Sequence, residues 1–183
     1  MHKAAKILLT AAVAATALGA GVYVQLTRLS PDSPAPGTPA ALARIALPDL
    51  TGKPVTLAAW QGKVLVINFW ATWCAPCRQE IPGLISIQRK HAANGVQVVG
   101  IAVDQADKVR LYAKEIGINY PVLVAGMDGS TLARDLGNRT GALPFTVVLD
   151  RAGKLIKSHL GLITEEELDK LLGTLPPDTA KSG

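Results

Sequence analysis

Cys74 and Cys77 are the only thiols in this 183-residue chain, and together they form one C-x-x-C. A disulfide between them would close a loop of about four residues, whose lost entropy contributes roughly 2 kcal/mol against ~4.7 kcal/mol for a 100-residue loop. As a structural staple the pair is poor. As half of a zinc site it lacks partners: zinc takes four ligands, and the histidines are His2, His91 and His159, far apart in the sequence. The spacing suits reversible redox chemistry. A strand-like run precedes the pair and a helical pattern follows it, so Cys74 stands where a helix begins. Unpaired backbone N–H groups and the helix dipole there stabilise a thiolate and can bring a thiol from ~8.5 towards ~7 or below. Cys77, one helical turn on, stands where it can resolve a mixed disulfide.

The elements that must hold this pair are legible as periodicity. Residues 63–69 are a largely continuous apolar run, suited to a central strand buried on both faces, and 96–103 are a second. The helix after the cysteines carries Ile81, Leu84 and Ile85 and meets Pro82 near its start, where an interruption is expected. Asp104 is placed to cap a helix with the stripe Val109, Tyr112, Ala113 and Ile116. A short extended piece at 120–125 and a short helix at 130–136 follow. Residues 145–149 and 154–160 read as strands joined by the turn Asp150-Arg151-Ala152-Gly153. Thr164 and Glu167 make a capping box for a last helix with Leu168, Leu171, Leu172 and Leu175. Ahead of all this, Thr51-Gly52-Lys53-Pro54 reads as the turn of a small hairpin. Helices alternating with strands of a mixed sheet give an α/β fold.

Four segments divide the chain: 1–28, 29–42, 43–175 and 176–183. Residues 7–26 carry no charge over about 20 positions, enough for a helix of ~30 Å to cross a hydrocarbon core. Lys3 and Lys6 precede the run and only Arg28 follows closely, so the N-terminus is expected in the cytoplasm and the rest outside it. A cleaved signal peptide is the other reading, with Ala15-Thr16-Ala17 as the small-residue site; the run's length favours a retained anchor. A lipid-anchored form is excluded, because no cysteine lies near the run. Pro31, Pro34, Pro36 and Pro39 then mark a polyproline-like spacer, a tether between membrane and domain. The segment 176–183 reads as a flexible tail.

Composition narrows the function further. Charged residues make up 18%, too few for a disordered polyelectrolyte, and the mean hydropathy of +0.26 partly reflects the apolar N-terminus. Net charge is +5, but from residue 41 onward there are 16 Lys and Arg against 13 Asp and Glu, without runs. No basic patch interleaved with aromatics is visible, so nucleic acid is not an expected partner. Of eight aromatic residues, Phe69, Trp70 and Trp73 lie within the five positions before Cys74. Phe69 and Trp70 read as core, Trp73 as a partly exposed lid beside the thiol, and Trp60 as domain packing.

The segment from Asn68 to Pro82, NFWATWCAPCRQEIP, resembles the active-site segment of the TlpA/ResA family of membrane-anchored, thioredoxin-like thiol–disulfide reductases. The resemblance continues through Gly141-Ala142-Leu143-Pro144-Phe145 to Gly153 and covers most of the domain. It implies a thioredoxin-like fold with an N-terminal β-hairpin extension, Cys74 as the attacking thiol, Cys77 as the resolving thiol, and Pro144 as a cis-proline. The Leu143 backbone beside it would pair with an extended substrate segment, bordered by Trp73. No cofactor is implied. The implied partners are exported proteins with disulfides, such as apocytochrome c or copper-site cysteines of oxidase assembly, and a transmembrane thiol–disulfide donor of electrons. The resemblance places the domain in the periplasm or an equivalent extracytoplasmic space.

Two departures matter. Thioredoxins proper carry a buried Asp where this chain has Asn68, and an amide cannot take the Cys77 proton as a carboxylate can. Glu80, three residues after Cys77 on the same helix face, is the expected substitute, where the family also has a glutamate. It would shuttle protons, and its charge would raise the thiol pKa values. Its other reading is a solvated first-turn glutamate favourable to the helix dipole. Phe145 stands where relatives often carry a small hydroxyl residue, and either borders the substrate groove or packs in the core. Two rival functions use the same pair. A thiol peroxidase needs a proline and a hydroxyl where this chain has Ile67 and Ala71. A copper-binding chaperone typically uses C-x-x-x-C with a distant histidine; the spacing here is one shorter and His159 is unsupported in that role.

Overall fold

Asp49 shapes the first turn. Its Oδ1 accepts the N–H groups of Thr51 and Lys53 and the Thr51 hydroxyl, closing the hairpin between β1 (Ala46–Pro48) and β2 (Pro54–Thr56). The computed structural model describes residues 44–176. The expected anchor 7–26, the proline-rich spacer 29–42 and the tail beyond 176 lie outside the described residues. Among the described residues, no helix is long and apolar enough to cross a membrane.

All seven residues of β3 (Val64–Trp70) are buried, as a strand covered on both faces requires. Helix α1 (Ala75–His91) follows, then β4 (Val96–Ala102), α2 (Ala106–Ile116), β5 (Val122–Val124) and the short α3 (Gly129–Asp135). Strands β6 (Phe145–Leu149) and β7 (Leu155–Leu160) precede α4 (Glu165–Gly173). The five-stranded sheet has the order β5-β4-β3-β6-β7, with β3, β4 and β5 parallel and β6 and β7 antiparallel to their neighbours. Both parallel crossovers step in the same direction, so right-handed connections put α1 and α2 on one face. That face carries Val64, Val66 and Trp70, packed with Ile81, Leu84, Val109, Leu168 and both cysteines. The opposite face carries Leu65, Ile67 and Phe69, packed with Ala133, Leu136 and Val147. Trp60 is half-buried against this second cluster, and Phe69 and Trp70 are fully buried.

Helix α4 docks along α1. Ser86 donates its hydroxyl to Glu165, Lys90 pairs with Asp169, and His91 Nε2 lies 2.6 Å from Asp169 Oδ1. The expected capping box forms: Glu167 N–H donates to Thr164 Oγ1 and Thr164 N–H to Glu167 Oε2.

Two local expectations are corrected. Pro82 does not interrupt α1, which runs unbroken from residue 75 to 91. Burial of Ile81, Leu84 and Ile87 in the core outweighs the one backbone hydrogen bond that the proline forfeits. Asp104 does not cap α2. Gln105 occupies the N-cap position, while Asp104 Oδ2 accepts the N–H and hydroxyl of Thr72, two residues before Cys74. A short acidic residue just ahead of a helix can serve either partner, and the fold brings Thr72 to it.

Gly100, at the centre of β4, lies against two aromatic side chains. A Cβ there would stand 2.9 Å from Trp70 Nε1 and 3.3 Å from Tyr120 Cε2. Both side chains are buried, so neither can swing into solvent. Gly100→Ala is therefore expected to destabilise the domain by about 1–3 kcal/mol, read as a lower urea midpoint with an unchanged slope.

Candidate active site

The C-terminal end of β3 delivers the chain to the site. Trp70 pairs with Ala102 of β4, and the next three residues form a tight turn: Cys74 N–H donates to Ala71 O at 3.2 Å. The Asp104 bonds to Thr72 hold this turn from the neighbouring strand end. Cys74 is then the N-cap of α1, and Pro76 falls in the first turn, where its missing N–H costs nothing. The Cys77 N–H points at Cys74 Sγ at 3.3 Å. The two sulfurs are joined as a disulfide in this structure.

The two cysteines differ in surroundings. Cys77 is fully enclosed, while Cys74 keeps slight exposure and is flanked by Trp73, 68% exposed. The Cys77 N–H faces Cys74 Sγ at the helix start, the kind of donor that stabilises a thiolate, and no backbone N–H is shown donating to the enclosed Cys77 Sγ among the described residues.

Glu80 is buried, 4% exposed, one turn beyond Cys77. Its carboxyl is held from two sides. Asn68 Nδ2, from β3, donates to Oε1 at 2.6 Å, and the Ile163 N–H, just ahead of α4, donates to Oε2 at 2.9 Å. Asn68 Nδ2 also donates to Thr146 Oγ1 on β6 at 3.0 Å. Burial pushes the Glu80 carboxyl up to about 7, against the opposing pull of the Ile163 N–H and the Asn68 amide. The geometry is that of an enclosed carboxyl, not a solvated one. Tyr120, ahead of β5, is also buried on this face, and its phenol is pushed up by burial first and then by the nearby Glu80 charge.

Pro144 opens β6 beside the end of β3, where Phe69 pairs with Phe145, and the Leu143–Pro144 peptide is cis. Leu143 is half-buried against the cluster that contains both cysteines. Phe145 is core: it is 3% exposed, with its ring centroid 5.9 Å from that of Phe69. The Gly161 N–H donates to Pro144 O, which brings the exposed Leu160 and Leu162 alongside. The fold thus collects Trp73, Cys74, Cys77, Glu80, Leu143 and Pro144 at one end of the sheet. Sequence reasoning missed Thr146, which accepts from Asn68 78 residues away, and the Ile163 N–H, which donates to Glu80 83 residues away; neither has a local pattern, and a backbone amide carries no side-chain signature. His91 lies at the far end of α1 on Asp169, and His159 Nε2 is bonded to Leu162 O at 3.1 Å. Among the described residues, no group of three or more His, Cys, Asp or Glu stands together as a metal site. Ile67 and Ala71 are both fully enclosed apolar residues.

The raised carboxyl has a consequence for stability. A folded-state value near 7, against ~4.3 unfolded, means that the folded protein binds the proton more tightly, so this group's contribution is whole below ~4.3 and is lost as pH rises to about 7. The loss is about 4 kcal/mol at 1.36 kcal/mol per pH unit. Gln keeps an acceptor for the Ile163 N–H and buries no charge. Urea denaturation of oxidised Glu80→Gln between pH 4 and 8 should show this slope removed; an unchanged slope would assign it elsewhere.

Known proteins match this architecture. Residues 31–172 match the Redoxin family. A thiol–disulfide oxidoreductase ResA of Bacillus thuringiensis (strain Al Hakam) is 31% identical over 130 residues, 70% of this chain and 73% of its own. The ResA of Geobacillus kaustophilus is 25% identical over 178 residues, 97% of this chain and all of its own. A crystal structure of a thiol:disulfide interchange protein of the thioredoxin family from Chlorobium tepidum TLS superposes with TM-score 0.62. It shares 34% identity over 70% of this chain and 90% of that one. The chain belongs to the redoxin family, as a thioredoxin-fold thiol–disulfide oxidoreductase of ResA type with protein-disulfide reductase activity, and Cys74–Cys77 is its pair.

Proposed function

We propose that this enzyme works outside the cytoplasmic membrane, tethered by residues 7–26, and reduces disulfides in exported proteins. The observation that carries the dithiol-exchange reading is the enclosed Glu80 carboxyl, held by Asn68 and the Ile163 N–H one helical turn from Cys77. A group poised there can take a proton at the working pH and return it.

In the reduced enzyme the Cys74 thiolate attacks one sulfur of a substrate disulfide. The substrate S–S bond breaks, its other sulfur leaves as a thiolate, and a mixed disulfide forms on Cys74. Cys77 gives its proton to Glu80 and attacks Cys74 Sγ. The mixed disulfide breaks, the second substrate sulfur leaves as a thiolate, and the Cys74–Cys77 disulfide remains. Two electrons have passed to the substrate; the Cys77 proton, held on Glu80, passes to the second leaving thiolate, and the first takes its proton from water. An external dithiol must then reduce the pair again, which outside the cytoplasm calls for a transmembrane thiol–disulfide conduit. A protonated Glu80 also offers an O–H to Asn68 Oδ1, once that amide turns over; this oxygen has no partner among the described residues. Both charge states of the carboxyl can thus be hydrogen-bonded.

The substrate segment lies extended along Leu143 and Pro144, between exposed Trp73 on one side and Leu160 and Leu162 on the other. Its cysteines belong to exported redox proteins awaiting a haem or copper, either apocytochrome c or a copper-site precursor. The N-terminal charge pattern around 7–26 supports the location.

Three measurements test this reading. A reduction potential near −120 mV, as in a strong oxidant, would overturn reduction as the working direction; a value near that of thioredoxin, about −270 mV, is expected. Cys77→Ser should accumulate a mixed disulfide through Cys74 on exported proteins, and mass spectrometry of the trapped adduct names the substrate. Glu80→Gln removes a negative charge from beside the thiols, so their titration should move to lower pH. Thiol titrations that do not move would sink the proton-shuttle role.

A further inference from the structure

His159 has no part in the dithiol mechanism above. It lies on edge strand β7, directly across from Thr146 of β6, which in turn lies across from Asn68 of β3. The three residues form one row across the sheet and, by the pleat, share a face. Gly161, at φ 95°, turns the chain after β7, and the His159 ring then meets Leu162 O at 3.1 Å. The Leu162 carbonyl and the Ile163 N–H belong to the same peptide unit. That N–H is the one that donates to Glu80 Oε2 at 2.9 Å. A single peptide plane therefore has His159 on its oxygen and Glu80 on its hydrogen.

A carbonyl oxygen only accepts, so His159 Nε2 is the donor and carries a proton in both the neutral and the charged ring. The ring can gain its second proton at Nδ1 without breaking this bond. A charged donor polarises the carbonyl more strongly than a neutral one, and the polarised amide becomes a stronger donor at its N–H end. Imidazole ordinarily changes charge between pH 5 and 8.

We propose that His159 is a positioning residue for Glu80: through the Leu162–Ile163 peptide, the charge on its ring sets how readily the buried carboxyl gives up its proton. This rests on the reading of Glu80 as the proton-exchanging group. No proton crosses the peptide; only the polarisation is transmitted. A charged ring favours ionised Glu80, a neutral ring favours protonated Glu80, and by reciprocity Glu80 biases the ring in turn. The other titratable groups are few. Cys77 faces Glu80 from its own helix, and Tyr120 from the segment ahead of β5. Glu167 of α4 faces His159; its carboxyl is held below the ordinary range first by the Thr164 N–H, and also by the His159 and Lys157 charges. Asn68 and Thr146, from β3 and β6, do not titrate.

The test uses the full 183-residue chain in its oxidised form, so that no thiol titrates, with glutamate labelled at 13Cδ and the Glu80 signal identified by its loss in Glu80→Gln. In the unaltered protein the Glu80 signal should titrate with a second inflection that coincides with titration of the His159 ring. His159→Gln keeps an N–H donor but never gains charge. It should give one inflection, with a midpoint about half a pH unit higher, the scale of one screened charge acting across a peptide. His159→Lys carries a fixed charge and should move the midpoint the opposite way. Identical Glu80 titrations in all three proteins overturn the proposal, as does a shift in the same direction for Gln and Lys, which marks a merely structural effect. In the reduced protein, the pH profile of Cys74 alkylation should follow the Glu80 midpoint in His159→Gln. A Cys74 profile unmoved while Glu80 moves overturns the role in catalysis. A Cys74 profile unmoved by Glu80→Gln itself overturns the Glu80 reading instead, and the carboxyl titration still decides the coupling.

Discussion

A carboxyl group enclosed where α1, β3 and the approach to α4 meet is the constraint on which the rest of this structure turns. Burying Glu80 is costly unless its oxygens are satisfied, and the two donors that satisfy them come from separate elements: Asn68 of β3 and the Ile163 N–H. Each is itself held. Asn68 is pinned by pairing in the central strand and by its second bond to Thr146. Ile163 is held by the capping box that starts α4 and by the seam of α4 on α1 through Ser86, Lys90 and His91. The cost of enclosing the carboxyl is only partly offset, and the residue of that imbalance is a group that titrates near 7 beside a thiol.

The cysteines illustrate how little side-chain chemistry a dithiol site needs when the backbone is well placed. Cys74 gains its distinction from Cys77 through position: the N-cap of α1, a donor from the Cys77 N–H, and a turn tied to Asp104 through Thr72. In the proposed function, exposed Trp73 beside Cys74 and exposed Leu160 and Leu162 beside Pro144 suit a partner that presents its own backbone rather than a charged ligand. In the proposed mechanism Glu80 handles protons and Cys74 electrons, with Cys77 between them and the two nearly two turns apart along α1.

Parts of this were open to reading along the chain. The largely apolar run at 63–69 read as a central strand because, Lys63 and Asn68 apart, its side chains favour burial on both faces, and β3 forms at Val64–Trp70. The capping box at Thr164 is a purely local device, and it forms. The expected dithiol at a helix start needed only the strand before it and the helix after it. Local pattern misled in two places. Pro82 breaks a helix in isolation, yet core packing on both sides carries α1 through it. Asp104 has a capping residue's position but bonds instead to Thr72, 32 residues earlier.

The amino-acid sequence by itself determined the redox pair, the alternation of strands and helices, the aromatic cluster before the thiols and the departure at Asn68. All of these are set by residue type and spacing over a few turns. Tertiary structure alone decided that Glu80 is enclosed, that Phe145 packs on Phe69 in the core, and that the peptide after Leu162 stands between Glu80 and His159. The reason is physical. Burial and hydrogen-bond partnership depend on what lies opposite in space, and for Glu80 that is a backbone N–H 83 residues away, which every non-proline residue possesses and no sequence pattern marks.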